Sequence, residues 1–212
     1  MADIAGIRKD YKLKTLNEAD VAAEPIAQFS QWWQEAVASD ILEVNAMAVS
    51  TVNSLGQPTS RIVLLKDYSN EGFTFYSNYQ SNKAADIETS THVALLFFWK
   101  ELERQIRIEG VAEKVPESVS DAYFASRPFG SKIGAWASPQ SSVIQNRELL
   151  EANTSALEQQ YSNGEVDRPP HWGGYIVRPN AVEFWQGRSN RLHDRIKYTK
   201  EINGWQLSRL AP

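Results

Sequence analysis

Residues 61–77 read RIVLLKDYSNEGFTFYS. Two runs of aliphatic, β-branched and aromatic residues, 61–66 and 72–77, flank Ser69-Asn70-Glu71-Gly72, a loop signal. The stretch predicts two strands joined as a hairpin. The same pattern continues outward. Residues 46–52 (AMAVSTV) are apolar and β-rich, and Leu55-Gly56-Gln57-Pro58 after them is a turn signal. Residues 92–99 and 103–114 predict two more strands. In the second, Gln105, Arg107 and Glu109 face one way, and Ile106 and Ile108 the other. Near the C-terminus, residues 174–178, 181–186, 194–199 and 205–210 predict four short strands.

Helical spacing is confined to a few segments. Phe29, Trp32, Trp33, Ala36 and Val37 recur at helical intervals behind Pro25, a residue suited to a first turn. Residues 81–89, with Ser81 as a cap, and residues 116–126 and 142–161 predict further helices. Many short strands and few helices, without strand–helix alternation, predict an α+β fold that is mainly antiparallel β and built around a barrel. Neither GxGxxG nor a P-loop is present, which argues against a doubly wound sheet. Residues 1–24 are polar and predict a mobile arm or lid, leaving residues 25–212 as a single domain.

Composition narrows the function. The chain has 212 residues, with 22 Lys and Arg against 26 Asp and Glu, a net charge of −4. That disfavours a broad nucleic-acid surface. With no cysteine there are no disulfides, thiolate zinc sites, iron–sulfur clusters or cysteine nucleophile. The three histidines, His92, His171 and His193, show neither HxxxH nor HExxH spacing, so no metal site is expected. No GxSxG elbow is present. No stretch approaches the ~20 apolar residues that span a bilayer, and the N-terminus lacks an apolar signal region. These features predict a cytoplasmic protein.

Four segments gather cations or hydroxyls. Arg191, His193 and Arg195 share one side if their segment is extended, which suits an anion, although a charged edge strand would look the same. Arg61 and Lys66 bracket an apolar strand and nominally face opposite ways. Residues 123–132 (YFASRPFGSK) end a helix and enter a loop with hydroxyls and two cations, a mix that can hold a phosphate or merely terminate the helix. Residues 138–142 (SPQSS) precede the helix expected from 142. They can hold an anion there or simply cap it. Together the patches fit a phosphorylated small molecule better than nucleic acid or membrane.

The residues also carry a resemblance. GQPTSRIVLLK (56–66), FYSNYQSNKA (75–84), ERQIRIEG (103–110), YFASRPFGSKIGAWASPQSS (123–142) and VEFWQGRSNRLHDR (182–195) resemble, in order and spacing, the pyridoxamine 5′-phosphate oxidase family, FMN-dependent enzymes of vitamin B6 metabolism. The likeness runs from Arg8 and Tyr11 to the closing RLAP.

The resemblance implies an FMN-binding split β-barrel with flanking helices, and a homodimer with FMN at the subunit interface. It implies oxidation of pyridoxamine or pyridoxine 5′-phosphate at C4′ to pyridoxal 5′-phosphate, with dioxygen reduced to hydrogen peroxide. FMN would be held by Arg61, Ile62, Val63, Leu64, Lys66, Tyr76, Ser77, Asn82 and Lys83. Gln105, Trp185 and Arg195 would border the flavin, and Gln140 and Ser141 would come from the partner subunit. Lys66, Tyr123, Arg127 and Ser131 would hold the substrate phosphate. Arg191 and His193, the catalytic candidates, would lie over the substrate ring, with Arg8 and Tyr11 in the lid. The family's known placement of both Arg61 and Lys66 at one site implies a twist, bulge or strand end between them. Many members carry Arg immediately before the lysine of the FYSN segment. Here that residue is Asn82, a departure that implies weaker FMN binding.

Overall fold

The protein is described by a computed structural model that covers residues 3–212. Helix α1 (Pro25–Val37) starts on its proline. Strands β1 (Ala46–Val52), β2 (Pro58–Leu64), β3 (Asp67–Ser69) and β4 (Gly72–Asn78) follow. Then come α2 (Asn82–Thr89), β5 (His92–Trp99), β6 (Arg104–Lys114), α3 (Glu117–Ser126), α4 (Phe129–Ala137) and α5 (Arg147–Gln160). Strands β7 (Trp172–Gln186), β8 (Asp194–Glu201) and β9 (Gly204–Leu210) end the chain.

Among the described residues every strand pairing is antiparallel. The sheet runs β2-β1-β5-β6-β7-β4-β3, with β8 and β9 branching from β7. β7 makes the split. Its first half pairs with β4 from Trp172 to Val177, and its second half pairs with β8 from Ala181 to Gln186, while β6 lies along both. Between the halves the register with β6 shifts: Gly110 pairs with Pro179 and Glu109 with Ala181, so Asn180 is the extra, bulged residue of β7. A Cβ on Gly110 would lie 2.3 Å from the Arg178 carbonyl oxygen, so only glycine allows the strands this close. The two strands expected over 174–178 and 181–186 are thus one strand bent at its proline.

The core lies on the inner face of this sheet, under α1. Phe29 of α1 is fully buried, with ring centroids 5.0, 4.8 and 5.4 Å from Tyr68, Phe73 and Phe97. Ile106 and Ile108 are fully buried while Arg107 between them is exposed, as the alternation predicted. Burying each such side chain contributes about 1.5–3 kcal/mol. A smaller cluster of Phe124, Ile133, Val166 and Trp172 seats α3 and α4 beside the sheet.

Several local expectations change. The turn at 69–72 forms, but it joins β3 to β4. The strand expected over 61–66 stops at Leu64. The Leu65 amide then donates to the Asn45 carbonyl, and the Lys66 amide to the Thr74 carbonyl. The chain changes partner between consecutive residues, so Lys66 leaves the facing rule that governs Arg61. Pro128 starts a second helix, α4, where a loop was expected. The helix expected from 142 begins at Arg147, capped by Asn146, whose Oδ1 accepts from the Leu149 amide at 2.9 Å. Ser141 and Ser142 therefore do not cap α5, and the reading of residues 138–142 as the start of that helix falls. The segment 189–193 is not extended. Ser189–Arg191 is a 3₁₀ turn with Asn190 and Arg191 at φ 56° and 62°, so the one-sided row of Arg191, His193 and Arg195 does not form as a strand.

The N-terminal arm is fastened over part of its length. Leu16 is buried in the main core, and its amide donates to Asp194 at 3.1 Å. Arg209 binds Glu18 at 2.7 Å.

Candidate functional site

The largest concentration of expected residues is a cavity of about 580 Å³ between β2, β4, α2 and the α3–α4 region. From β2 it receives Arg61, Ile62, Val63 and Leu64, with Lys66 just beyond the strand. Tyr76 and Ser77 come from β4, and Asn82 and Lys83 from the first turn of α2. Tyr123, Arg127, Gln140 and Ser141 close it. Trp172 also lines it, a residue the sequence analysis did not single out.

Arg61 is held by hydroxyls. Its guanidinium donates at 2.7 Å to the oxygens of both Thr51 and Thr59, and both hydroxyls in turn donate to Asp86. Lys83 is buried, and its Nζ donates to Ser77 at 2.9 Å, Ser81 at 3.1 Å and Gln140 at 3.0 Å. Burial, and then the charge of Arg61, lower its pKa to about 8. Three neutral acceptors hold an ammonium that lacks a counter-anion among them.

Gln140 therefore sits in the same subunit as Lys83 and Ser77. The Ser141 hydroxyl accepts from the Asn82 amide at 3.2 Å within that subunit too. This corrects the expectation that Gln140 and Ser141 are supplied by the partner. Ser141 has φ 73°, a left-handed conformation that costs a non-glycine residue about 1–3 kcal/mol.

Arg127 lies over the Trp172 ring at 4.5 Å, and its Nη1 is buried without a hydrogen-bond partner. Burial lowers its pKa. A buried guanidinium N–H without a protein partner, beside a cavity, fits an anionic oxygen. Ser131, from the first turn of α4, joins Arg127, Gln140 and Trp172 around a smaller adjoining space of about 230 Å³. Tyr76, Tyr123 and Trp172 stack nearly parallel, with the two tyrosine centroids 3.9 Å apart. The donor set of the large cavity, cations with hydroxyls beside a flat aromatic stack, fits a phosphorylated ring compound.

A second cavity of about 600 Å³ gathers another group. Arg8 and Tyr11 from the arm face Arg188, Arg191 and His193 from the loop after β7. The His193 Nδ1 accepts from the Arg188 amide at 3.1 Å, which leaves Nε2 as its protonated nitrogen in the neutral ring. Burial, then the charge of Arg191, lower the His193 pKa, so the ring is neutral at pH 7.

Trp185 links this cavity to the sheet, with ring centroids 4.6 Å from His193 and 5.8 Å from Tyr11. Gln105, Trp185 and Arg195 occupy directly paired positions on β6, β7 and β8. Arg195 makes a forked ion pair with the buried Glu183, at 2.8 and 3.1 Å. Sequence reasoning passed over Glu183, whose only signal was an acidic residue inside an apolar strand. The expected residues thus fall into two groups around two cavities of one subunit.

Comparisons with known proteins bear on these groups. Residues 33–161 match the family described as "Pyridoxamine 5'-phosphate oxidase". Residues 172–212 match the "Pyridoxine 5'-phosphate oxidase C-terminal dimerisation region". A pyridoxine/pyridoxamine 5′-phosphate oxidase of a Cyanothece species is 51% identical, over 99% of this chain and 98% of its own length. That of Cupriavidus metallidurans is 49% identical over the whole of both chains. Among solved structures, PhzG from Burkholderia lata, in complex with tetrahydrophenazine-1-carboxylic acid, superposes with a TM-score of 0.89 at 29% identity, over 94% of this chain and 99% of its own. An FMN-binding, pyridoxamine 5′-phosphate oxidase-related protein of Nostoc punctiforme has a TM-score of 0.70 at 13% identity, over 91% of this chain and 100% of its own, and supports the split-barrel fold. No helix among the described residues is long and apolar enough to cross a membrane.

Proposed function

Because the chain belongs to the pyridoxamine 5′-phosphate oxidase family, we propose that it is an FMN-dependent oxidase. It converts pyridoxamine and pyridoxine 5′-phosphates to pyridoxal 5′-phosphate and reduces dioxygen to hydrogen peroxide. The observation that carries this reading is the convergence of four cations, Arg61, Lys66, Lys83 and Arg127, on one cavity of a protein whose net charge is −4. Two phosphates, one on the cofactor and one on the substrate, account for four cations in two pairs.

In this reading Arg61 and Lys83 hold the FMN phosphate, and Ser77 and Tyr76 lie along the cofactor. Bound there, FMN would supply the two-electron oxidation at C4′ and the transfer of those electrons to dioxygen. Lys66, Arg127, Tyr123 and Ser131 grip the substrate phosphate as a fixed handle. This orients C4′ and removes the entropy of a free encounter. Arg191 orients the substrate amine or alcohol. His193 is the proton carrier, since its neutral ring can accept a proton, whereas an arginine is a poor base.

The two cavities become one site in a homodimer. One subunit supplies the phosphate-binding residues, and its partner supplies the row of Gln105, Trp185 and Arg195 together with Arg191 and His193. The match of residues 172–212 to a dimerisation region supports this arrangement. The arm acts as a lid over the same site, and the remaining chain is its single domain.

The deciding experiment adds FMN and pyridoxine 5′-phosphate to the protein in air and follows pyridoxal 5′-phosphate and peroxide together. Equal amounts of both are expected. FMN binding with neither product, from either substrate, would overturn the oxidase reading and leave a flavin binder or reductase.

Asn82 gives a second test. It lines the large cavity one residue before Lys83. An arginine there adds a charged donor to the FMN phosphate, and a charged hydrogen bond contributes about 1.5–3 kcal/mol. Asn82→Arg is expected to tighten FMN binding roughly tenfold or more. Equal dissociation constants for the two proteins in a fluorescence titration would sink the idea.

A further inference from the structure

Glu103, so far only the first residue of the segment 103–110, has been given no role, yet both walls of the second cavity are fastened to it. It ends the short turn before β6 with φ 55° and is only 2% exposed. Its Oε2 accepts from the backbone amides of Lys12 at 2.8 Å and Leu13 at 3.1 Å. Its Oε1 lies 3.3 Å from the Lys9 ammonium. These contacts grip the arm directly after Arg8 and Tyr11, the two arm residues expected at the substrate.

The same residue holds the opposite wall by its main chain. The Glu103 carbonyl accepts from the Gly187 amide at 2.7 Å and from the Gln186 Nε2 at 3.2 Å. Gly187 opens the loop that carries Arg188, Arg191 and His193. The Tyr11 ring rests on that glycine so closely that a Cβ there would lie 2.7 Å from the ring. The Ser189 hydroxyl also donates to the Tyr11 carbonyl at 3.2 Å. Arm and loop are therefore spaced from each other by direct contact and tied to a common post.

A buried carboxylate that accepts two main-chain N–H groups of an irregular, exposed segment is not explained by packing. The apolar core provides no reason for a charge there, and an unmet carboxylate at that depth would be strongly unfavourable. A left-handed φ on a glutamate adds strain that glycine would avoid. Both features make sense if the side chain is needed where it is.

We propose that Glu103 is a positioning residue for substrate. Its carboxylate holds Arg8 and Tyr11 over the second cavity, while its carbonyl fixes the loop that presents Arg191 and His193. The proposal rests on the reading of this cavity as the substrate side of the oxidase site. Glu103 touches neither reacting group, so its loss lowers the fraction of molecules with the arm in place. Apparent substrate affinity falls in proportion to that fraction.

The test compares Glu103→Gly, which φ 55° accommodates without strain, with Glu103→Gln, whose side-chain oxygen can still accept from both amides. Hydrogen exchange of the Lys12 and Leu13 amides is read on the FMN-loaded protein without substrate, and steady-state kinetics with pyridoxine 5′-phosphate. Glu103→Gly is expected to lose protection at both amides and to raise KM about tenfold, with kcat within about threefold of wild type and FMN affinity unchanged. Glu103→Gln is expected to restore most of both effects. Unaltered amide protection in Glu103→Gly overturns the anchoring, and lost protection with an unchanged KM overturns the link to substrate. A weakened FMN affinity in both variants marks a general disturbance and also overturns the proposal. If wild type turns over neither substrate, the oxidase reading has failed, and the amide protection alone decides whether Glu103 holds the arm.

Discussion

Arg191→Ala is expected to lower kcat with pyridoxine 5′-phosphate by about 10²-fold, the cost of letting the reacting group drift from its aligned position. KM should change far less, because the phosphate grip lies in the other cavity, on Lys66, Tyr123 and Arg127. Two consecutive left-handed residues, Asn190 and Arg191, place this side chain at the cavity rim. Backbone strain of that kind persists only where surrounding contacts over-determine it. Here they include the Arg188–Asp194 ion pair at 2.7 Å and the Leu192 amide donating to the Ser189 carbonyl. The substitution has a second signature. The Arg191 charge helps hold the His193 pKa down, so removing it raises that pKa. The neutral ring is then lost at a higher pH than in wild type, and the acid limb of the rate profile shifts upward. Steady-state rates from pH 5 to pH 9 check both effects. Near-wild-type turnover at pH 8 would refute the role.

Lys83→Met should weaken FMN binding roughly 10- to 150-fold at pH 7, the equivalent of one lost charged hydrogen bond. Methionine keeps much of the buried stem, so the fold should survive. The wild-type affinity should also depend on pH with a definite sign. The Lys83 pKa is lowered to about 8 in the protein without cofactor. Above that pH its amine is neutral, whereas a bound phosphate stabilises the ammonium. Binding then takes up a proton, and FMN affinity falls as pH rises above about 8. Below about 8 this group adds no slope. Titrations at pH 7 and pH 9 should show the loss in wild type and a smaller one in Lys83→Met. Identical pH dependence in both proteins would assign the effect elsewhere.

How much of this was legible in the sequence differs from one segment to the next. The period-two alternation of Gln105, Ile106, Arg107 and Ile108 reported a half-buried strand directly, because one face meets the core and the other does not. Helix α1 was legible for the matching reason at helical period. Pro179 misled, since a proline usually ends a strand. Here a bulge at Asn180, opposite the Glu109–Gly110 step of β6, takes up the irregularity, and that long-range pairing leaves no local mark beyond Gly110. The α3–α4 break was missed because Arg127-Pro128 reads as a loop, while Pro128 serves as the cap of the next helix.

The candidate site followed the same logic. The cations around the large cavity were legible as residue types and, through the family resemblance, as a set. Which of them share a subunit was not, because Gln140 reaches Lys83 only once the loop after α4 folds back. The row of Arg191, His193 and Arg195 was legible as a cluster but not as a geometry. Its segment turns where an extended chain was assumed. Glu103 and Glu183 left almost no trace. A lone acidic residue in a strand or turn looks like surface until its partners, 90 residues away for the Leu13 amide, are known.

The long shared strand β7 bears on how such a protein can change over evolutionary time. It pairs with three neighbouring strands, and its side chains point to two faces that are both largely buried. Inserting or deleting one residue in its regular second half, between Ala181 and Gln186, would turn every later side chain to the opposite face. Phe184 would leave the core, and Trp185 would lose its place beside Gln105 and Arg195. Substitution is open to this strand, but a change of length is not. Lineages that lengthen or shorten the chain are expected to do so in the exposed residues 162–165 that follow α5, or at the tip of the β8–β9 turn, where Ile202 is fully exposed.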